Sequence, residues 1–296
     1  MIVETVSTIF NFIRLGRPYY VLPPIAAAIA GYVSSDNGDV SWMIITQICA
    51  VFLLLGMSSW TANEITDQAS DMKGSKKELW GLYVSGGTQL ISGESLSQRA
   101  VTTYIVILAT IGLAISTTFG MVFFGLALLF LIIGLAYSIR PVRLKERGIV
   151  GLAVIVMAYG IVSFSAGWVT SDRILTTDCL VYAGFLSLIF LGFEGIAHLT
   201  DREQDHANGE NTFAVALGER TAKYILAACQ CIPILGLIII HEWIPFLQDK
   251  DDSLIFLALL STVFAAFTIL SRNNSQLCTL RVLGVPTMLV MVLPAF

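Results

Sequence analysis

Long apolar runs alternate with shorter polar stretches along the whole chain. The apolar runs fall near residues 19–33, 42–61, 101–118, 121–137, 149–169, 180–198, 222–240, 254–270 and 280–296. Each approaches the ~20 residues that a helix needs to cross a bilayer. The pattern predicts an all-α integral membrane protein, with about nine transmembrane helices bundled around a central cavity. It is read as a single membrane domain over 1–296, without low-complexity segments or short tandem repeats.

Composition strengthens this reading. Of 296 residues, 56% are hydrophobic and 13% charged, whereas soluble domains are about 25% charged. The net charge of −4 offers no basic excess for nucleic acid, so no nucleic-acid partner is expected. The five cysteines are odd in number and sit mostly in apolar runs, which does not make a disulfide framework. The first residues lack a basic start and a small-residue cleavage site, so no removable signal peptide is expected.

The charges are distributed unevenly between the loops. With nine crossings, 15 of the 17 basic residues fall on the side that holds the N-terminus, and only Arg173 and Lys250 fall on the other. The positive-inside rule makes the basic side cytoplasmic, and places Phe296 outside. The two longest polar segments, 63–99 and 199–221, lie on this same side. Long loops in compact proteins are usually functional, so chemistry is expected at this face.

Two acidic stripes open those segments. Asn63, Asp67 and Asp71 are spaced i, i+4, i+8, and Asp201 and Asp205 are spaced i, i+4. On a helix, such spacings put the side chains on one face. A solvated helix end explains one stripe; two at the same membrane face call for cations between them. Oxygen ligands of this kind suit Mg²⁺, which commonly bridges carboxylates and substrate phosphates. The candidate metal ligands are Asn63, Asp67, Asp71, Asp201 and Asp205. Glu194 and His198 continue the second stripe into the apolar run, either as an orienting pair or as acceptor-facing groups. His198 and His206 have no nearby cysteine and make a poor zinc set.

Cations lie close to both stripes. Lys73, Lys76 and Lys77 follow the first, and Tyr137, Arg140, Arg143 and Lys145 follow the fourth apolar run. Lysine and arginine suit phosphate oxygens, although positive-inside topology alone accounts for many of them. Pro141 should end the helix and set Lys145 on a turn at the cavity mouth.

At these residues the chain resembles the UbiA superfamily of intramembrane prenyltransferases. The resemblance rests on Asn63/Asp67/Asp71, on Asp201/Asp205, and on the Tyr-Ser-x-x-Pro-x-Arg-Leu-Lys stretch from Tyr137 to Lys145. A Gly-x-x-Thr segment from Gly209 to Gly218 adds to it, and the match covers nearly the whole chain. The loop after the first motif departs: it lacks the arginine many relatives carry, so Lys73, Lys76 and Lys77 are expected to substitute.

The resemblance implies Mg²⁺-dependent transfer of a polyprenyl group from its diphosphate to a lipophilic, by default aromatic, acceptor within the lipid bilayer. It gives Asp67, Asp71, Asp201, Asp205, Lys145 and Tyr137 catalytic roles. It places the diphosphate on Asn63, Lys73, Lys77, Arg140, Arg143 and Lys145. Tyr137, Tyr159, Phe164, Trp168 and Phe193 are candidate aromatic partners for an allylic cation, with ordinary lipid or core packing the leading reading for each. A terpene cyclase on the same scaffold is the alternative. A transporter fits less well, because the carboxylates cluster at helix ends and no inverted repeat is visible.

Overall fold

The computed structural model describes residues 2–35, 40–72, 77–85, 87–91, 93, 95–171, 173–248, 250–292 and 294. Lys73, Lys76 and Phe296 lie outside the described residues.

Twelve α-helices follow one another along the described chain. They are α1 (Ile2–Leu15), α2 (Leu22–Ser35), α3 (Trp42–Asp71), α4 (Gln98–Ser116), α5 (Met121–Ser138), α6 (Ile149–Met157) and α7 (Ser163–Val169). Then come α8 (Thr177–Asn208), α9 (Phe213–Leu217), α10 (Glu219–Ile240), α11 (Asp251–Leu270) and α12 (Asn274–Val290). Helices α6 and α7 form one rod, joined by a π-turn over Ala158–Val162. Seven helical segments among the described residues are long and apolar enough to cross a membrane. The first and last expected crossings coincide with α2 and α12, which have 14 and 17 residues and fall short of that length.

Two elements were not expected. Helix α1 is amphipathic, with Ile9, Phe10 and Ile13 exposed and Leu15 buried. Its apolar positions are interrupted by polar ones, so it does not read as a crossing; such helices lie along a membrane interface. The second is a hairpin of β1 (Lys77–Leu79) and β2 (Leu82–Ser85). Trp80 and Gly81 both take positive φ there, as a two-residue hairpin turn requires.

Small residues set the packing distances, as expected for helices without a hydrophobic drive between them. Gly31 on α2 meets Gly167 on α7: a Cβ on either would stand 2.0 Å or 1.8 Å from a backbone oxygen of the other helix. Gly192 and Gly195 on α8 receive Gln230 and Leu226 of α10, and Gly134 on α5 receives Ser59 of α3. Ser187 of α8 accepts the Ile161 N–H at 3.0 Å, within the π-turn.

Helices α3 and α8 have 30 and 32 residues. At 1.5 Å per residue each is roughly 45 Å long, against ~30 Å of hydrocarbon. Their C-terminal turns therefore reach past the apolar layer, and these turns carry the two acidic stripes.

Candidate active site

Both stripes line one cavity. It holds about 1250 Å³ of empty space, counting its open mouth. Asn63, Asp67 and Asp71 approach from α3, and Asp201 and Asp205 from α8. Tyr137 and Ser138 come from the end of α5, and Glu194 and His198 from deeper on α8. The acids and tyrosine predicted from sequence thus share one wall system.

Local structure explains how Lys145 joins them. Helix α5 ends at Ser138, before Pro141, and Lys145 sits in the tight turn Leu144–Glu146. Gly151 of α6 lies under this turn; a Cβ there would stand 1.8 Å from the Leu144 oxygen. Gly148 then donates its N–H to the Asn211 oxygen at 3.0 Å, tying this loop to the one after α8. Helix α8 ends on Gly209 in the left-handed conformation (φ 73°), with the Glu210 N–H on the Asp205 oxygen at 2.9 Å. That reversal turns Glu210 back toward the cavity.

The outcome is a paired charge cluster. The Lys145 ammonium donates to Asp67 Oδ1 at 2.7 Å and reaches Glu210 Oε2 at 3.2 Å. Arg143 Nη2 lies 3.2 Å from both Asp67 Oδ1 and Glu210 Oε1, and the same guanidinium pairs with Glu146. Burial works against the Lys145 ammonium, but Asp67 and Glu210 outweigh it and raise its pKa above the ordinary lysine value. Among the described residues Asp71 has no such ion pair. Burial, then the Glu64 and Asp67 carboxylates, push its pKa up to about 7.

The second stripe is arranged differently. Asp201 Oδ2 accepts from Arg281 at 3.1 Å, while its buried Oδ1 has no hydrogen-bond partner among the described residues. Asp205 accepts from the Thr212 hydroxyl at 2.8 Å. Deeper in, the Tyr137 hydroxyl and His198 Nε2 are 3.0 Å apart. Glu194 lines the cavity and makes no hydrogen bond or ion pair among the described residues.

Not every predicted residue arrives at the cavity. Arg140 is exposed, Lys77 lies on β1, and Arg143 is buried against Asp67, Glu146 and Glu210; none of the three lines the cavity. Phe164 and Trp168 pack with Tyr182 and Phe246, and Phe193 packs on Phe264. Of the aromatic candidates only Tyr137 and Tyr159 line the cavity, where Trp60 and Phe130 join them. Asn63 Oδ1 accepts from the Ser138 hydroxyl at 2.8 Å. The sequence reading missed Glu210, Arg281, Arg17 and Glu64. The two arginines counted only as topology charges, although Arg281 stands in an apolar run, where an ionisable residue is itself a functional signal.

The donor set fits a hard cation. Hard carboxylate oxygens face one cavity, Asp201 Oδ1 is unpartnered among the described residues, and Asp71 gains by any added positive charge. Among the described residues, however, no three acidic or imidazole side chains are close enough to chelate a metal unaided. Mg²⁺ retains water or substrate ligands rather than filling an all-protein cage, so a shared, substrate-completed site is consistent with this spacing.

Comparison with known families places the whole bundle. The model of the UbiA prenyltransferase family matches residues 21–282. The chain belongs to this family. This UbiA member is 23% identical over 268 residues to the digeranylgeranylglyceryl phosphate synthase of Sulfolobus acidocaldarius, covering 90% of each chain. It is 25% identical over 287 residues to the bacteriochlorophyll synthase 33 kDa chain of Cereibacter sphaeroides, covering 90% of this chain and 84% of that one. In fold it is similar to the apo UbiA homolog of Aeropyrum pernix K1, with a TM-score of 0.73 at 18% identity, over 94% and 97% of the two chains. The UbiA homolog of Archaeoglobus fulgidus bound to GPP and Mg²⁺ gives 0.70 at 17% identity, over 96% and 98%. The family makes this UbiA protein a multi-pass membrane enzyme of the prenyltransferase class.

Proposed function

We propose that the chain, working as one membrane domain over 1–296, transfers a polyprenyl group from its diphosphate to a lipophilic aromatic acceptor and releases diphosphate. The motif loops and the N-terminus face the cytoplasm in this reading. The observation that carries it is the single cavity, with carboxylates and Lys145 at its mouth and Trp60, Phe130, Tyr137 and Tyr159 further in. The A. fulgidus neighbour, bound to GPP and Mg²⁺, supports the choice of substrate and ion.

Asp67, Asp71, Asp201 and Asp205, with Asn63, are the residues that would hold Mg²⁺. When bound, the ion supplies charge neutralisation to the diphosphate. Lys145 and Arg143 are held between Asp67 and Glu210 and are ready to turn toward phosphate oxygens as the C–O bond breaks. The aromatic rings present their faces to the allylic cation, and the buried walls keep water from quenching it. Tyr137 is oriented by His198. Glu194, without a protein partner among the described residues, takes the proton that the acceptor loses as the new bond forms. The isoprenoid tail lies between apolar helices.

The relatives are named for products with two very different acceptors, so the acceptor is what the experiment has to decide. Purified protein in proteoliposomes is given geranylgeranyl diphosphate and Mg²⁺, with either a hydroxybenzoate-type acceptor or a glycerol phosphate lipid. Products are read by mass spectrometry and diphosphate by a coupled assay. Prenylated aromatic product supports the proposal. Product from the glycerol phosphate lipid alone overturns the acceptor class. Hydrocarbon formed without acceptor means cyclisation.

A further inference from the structure

On the Asp67 stripe the cation that lines the cavity is Lys145; Arg143 pairs with the same carboxylates without lining it. The loop lysines are expected to substitute for the missing loop arginine, yet Lys77 does not line the cavity, and Lys73 and Lys76 lie outside the described residues. Two buried arginines line the cavity. Arg281 comes from α12 and Arg17 from the link between α1 and α2; each is 8% exposed.

Both are built into the loop after the first motif. Arg281 Nη1 donates to the Val84 oxygen, to Thr200 Oγ1 at 3.1 Å and to Asp201 Oδ2 at 3.1 Å. Its guanidinium lies 5.6 Å from the Tyr20 ring centre, and the Tyr20 hydroxyl donates to the Tyr83 oxygen at 3.0 Å. Arg17 pairs with Glu64, whose second oxygen accepts the Thr88 N–H at 2.9 Å and hydroxyl at 2.6 Å. Its buried Nε has no partner among the described residues.

An arginine presents five N–H donors in a planar fork. Among the described residues every hydrogen bond of Arg281 leaves from Nη1, so Nη2 and Nε remain for a ligand in the cavity it lines. A cation whose only carboxylate partner is a candidate metal ligand is well placed to change partners. Once Asp201 is engaged elsewhere, the guanidinium is left with neutral acceptors and a vacant fork. Phosphate oxygens match that fork in shape and charge.

We propose that Arg281 binds the substrate diphosphate beside the Asp201 stripe, as Lys145 does beside the Asp67 stripe, supplying from α12 the arginine that the loop sequence lacks. Arg17 is its positioning residue: through Glu64 and Thr88 it holds the loop whose Val84 oxygen anchors Arg281. This rests on the diphosphate reading above.

The test measures binding of inorganic pyrophosphate with Mg²⁺ to the full-length protein in detergent, by calorimetry, alongside KM for geranylgeranyl diphosphate. Arg281→Gln should weaken binding roughly tenfold to hundredfold, the worth of a charge-assisted hydrogen bond. KM should rise in parallel, and Lys250→Gln, on the opposite side, should leave both unchanged. Wild-type affinity in a folded Arg281→Gln protein overturns the proposal and makes Arg281 a brace for the hairpin. Should glutamine prevent folding, Arg281→Lys is read instead. It keeps the charge and loses the fork, so weaker binding supports the assignment and an unchanged Kd overturns it. A wild-type protein that fails to bind pyrophosphate removes the diphosphate reading itself, and this proposal with it.

Discussion

Lys145→Ala separates catalysis from bracing. The ammonium touches Asp67 at 2.7 Å and Glu210 at 3.2 Å, and all three groups are buried. Removing one partner of a buried ion pair usually costs ~3–5 kcal/mol, because the other charge is stranded. Here Arg143 Nη2 still lies 3.2 Å from both carboxylates. The stability cost should therefore fall at the lower end, about 3 kcal/mol. The catalytic cost is a separate quantity. A preorganised donor to a developing anion is worth roughly 10²–10³ in kcat. Since the leaving group is most anionic in the transition state, kcat should fall further than KM rises. Diphosphate release from geranylgeranyl diphosphate gives kcat and KM, and thermal unfolding of the same preparation gives Tm. Lys145→Arg should recover part of kcat, since charge is kept and only geometry changes. If Lys145→Ala lowers Tm but reduces kcat less than threefold, the lysine is a strut between two loops and the transition-state argument fails.

Other outcomes follow from the same geometry. Asp67→Asn and Asp201→Asn should each lower kcat by at least about 10²-fold, as expected when a charge-stabilising group is removed. Asp67→Asn should also lower Tm the more, because Asp67 pairs with both Lys145 and Arg143 whereas Asp201 pairs with Arg281 alone among the described residues. Near-normal turnover in saturating Mg²⁺ by either variant rejects its role. Chelation of Mg²⁺ by EDTA should stop turnover, and added Mg²⁺ should restore it; activity that persists under EDTA is incompatible with the metal role. Gly151→Ala should place a Cβ against the Leu144 oxygen and displace the Lys145 turn, costing roughly 1–3 kcal/mol of stability and lowering kcat; a variant with wild-type Tm and kcat contradicts this. In a cysteine-free background, Ser95→Cys and Asp252→Cys should label from opposite sides of sealed vesicles. Labelling of both from one side would reject the nine-crossing topology.

The acids were legible in the sequence because helical spacing places residues four apart on one face, and both stripes end long apolar helices. The turn holding Lys145 was legible for a related reason: proline closes the helix just before it. Loop geometry was not legible. Arg140 lies three residues before Arg143, yet one is exposed and the other buried among three carboxylates. No periodicity governs side-chain direction in a turn. Glu210 stood within a recognised segment, but its role depends on the reversal at Gly209, a backbone event without an apolar signature. The hairpin escaped for the same reason, with strands of three and four residues on either side of a Trp-Gly turn. Phe164 and Trp168 could be read from sequence only as cavity or packing aromatics, because an aromatic residue in an apolar helix looks alike whether it meets a substrate or Phe246.

The charge pairing explains how such a mouth stays folded without its substrate. Four carboxylates near one another repel and resist burial. The chain offsets this with Lys145 and Arg143 on Asp67 and with Arg281 on Asp201, and leaves Asp71 at the raised pKa of about 7. Each of these cations sits on a segment separate from the acid it neutralises: the α5–α6 turn against α3, and α12 against α8. An anionic ligand can therefore draw the cations away while added positive charge compensates the carboxylates, and no charge need be buried alone at any stage. On that view the ion pairs stand in for the metal–diphosphate complex. A variant that removes a carboxylate holding these cations should harm the substrate-free protein more than the loaded one, which by linkage means tighter ligand binding. Glu210 pairs with Lys145 and Arg143 and is not among the groups assigned to the diphosphate. Thermal unfolding of Glu210→Gln with and without Mg²⁺ and pyrophosphate checks this: the ligands should raise its Tm by more than they raise that of the wild type. An equal or smaller gain would show that the pairs do not substitute for the ligand.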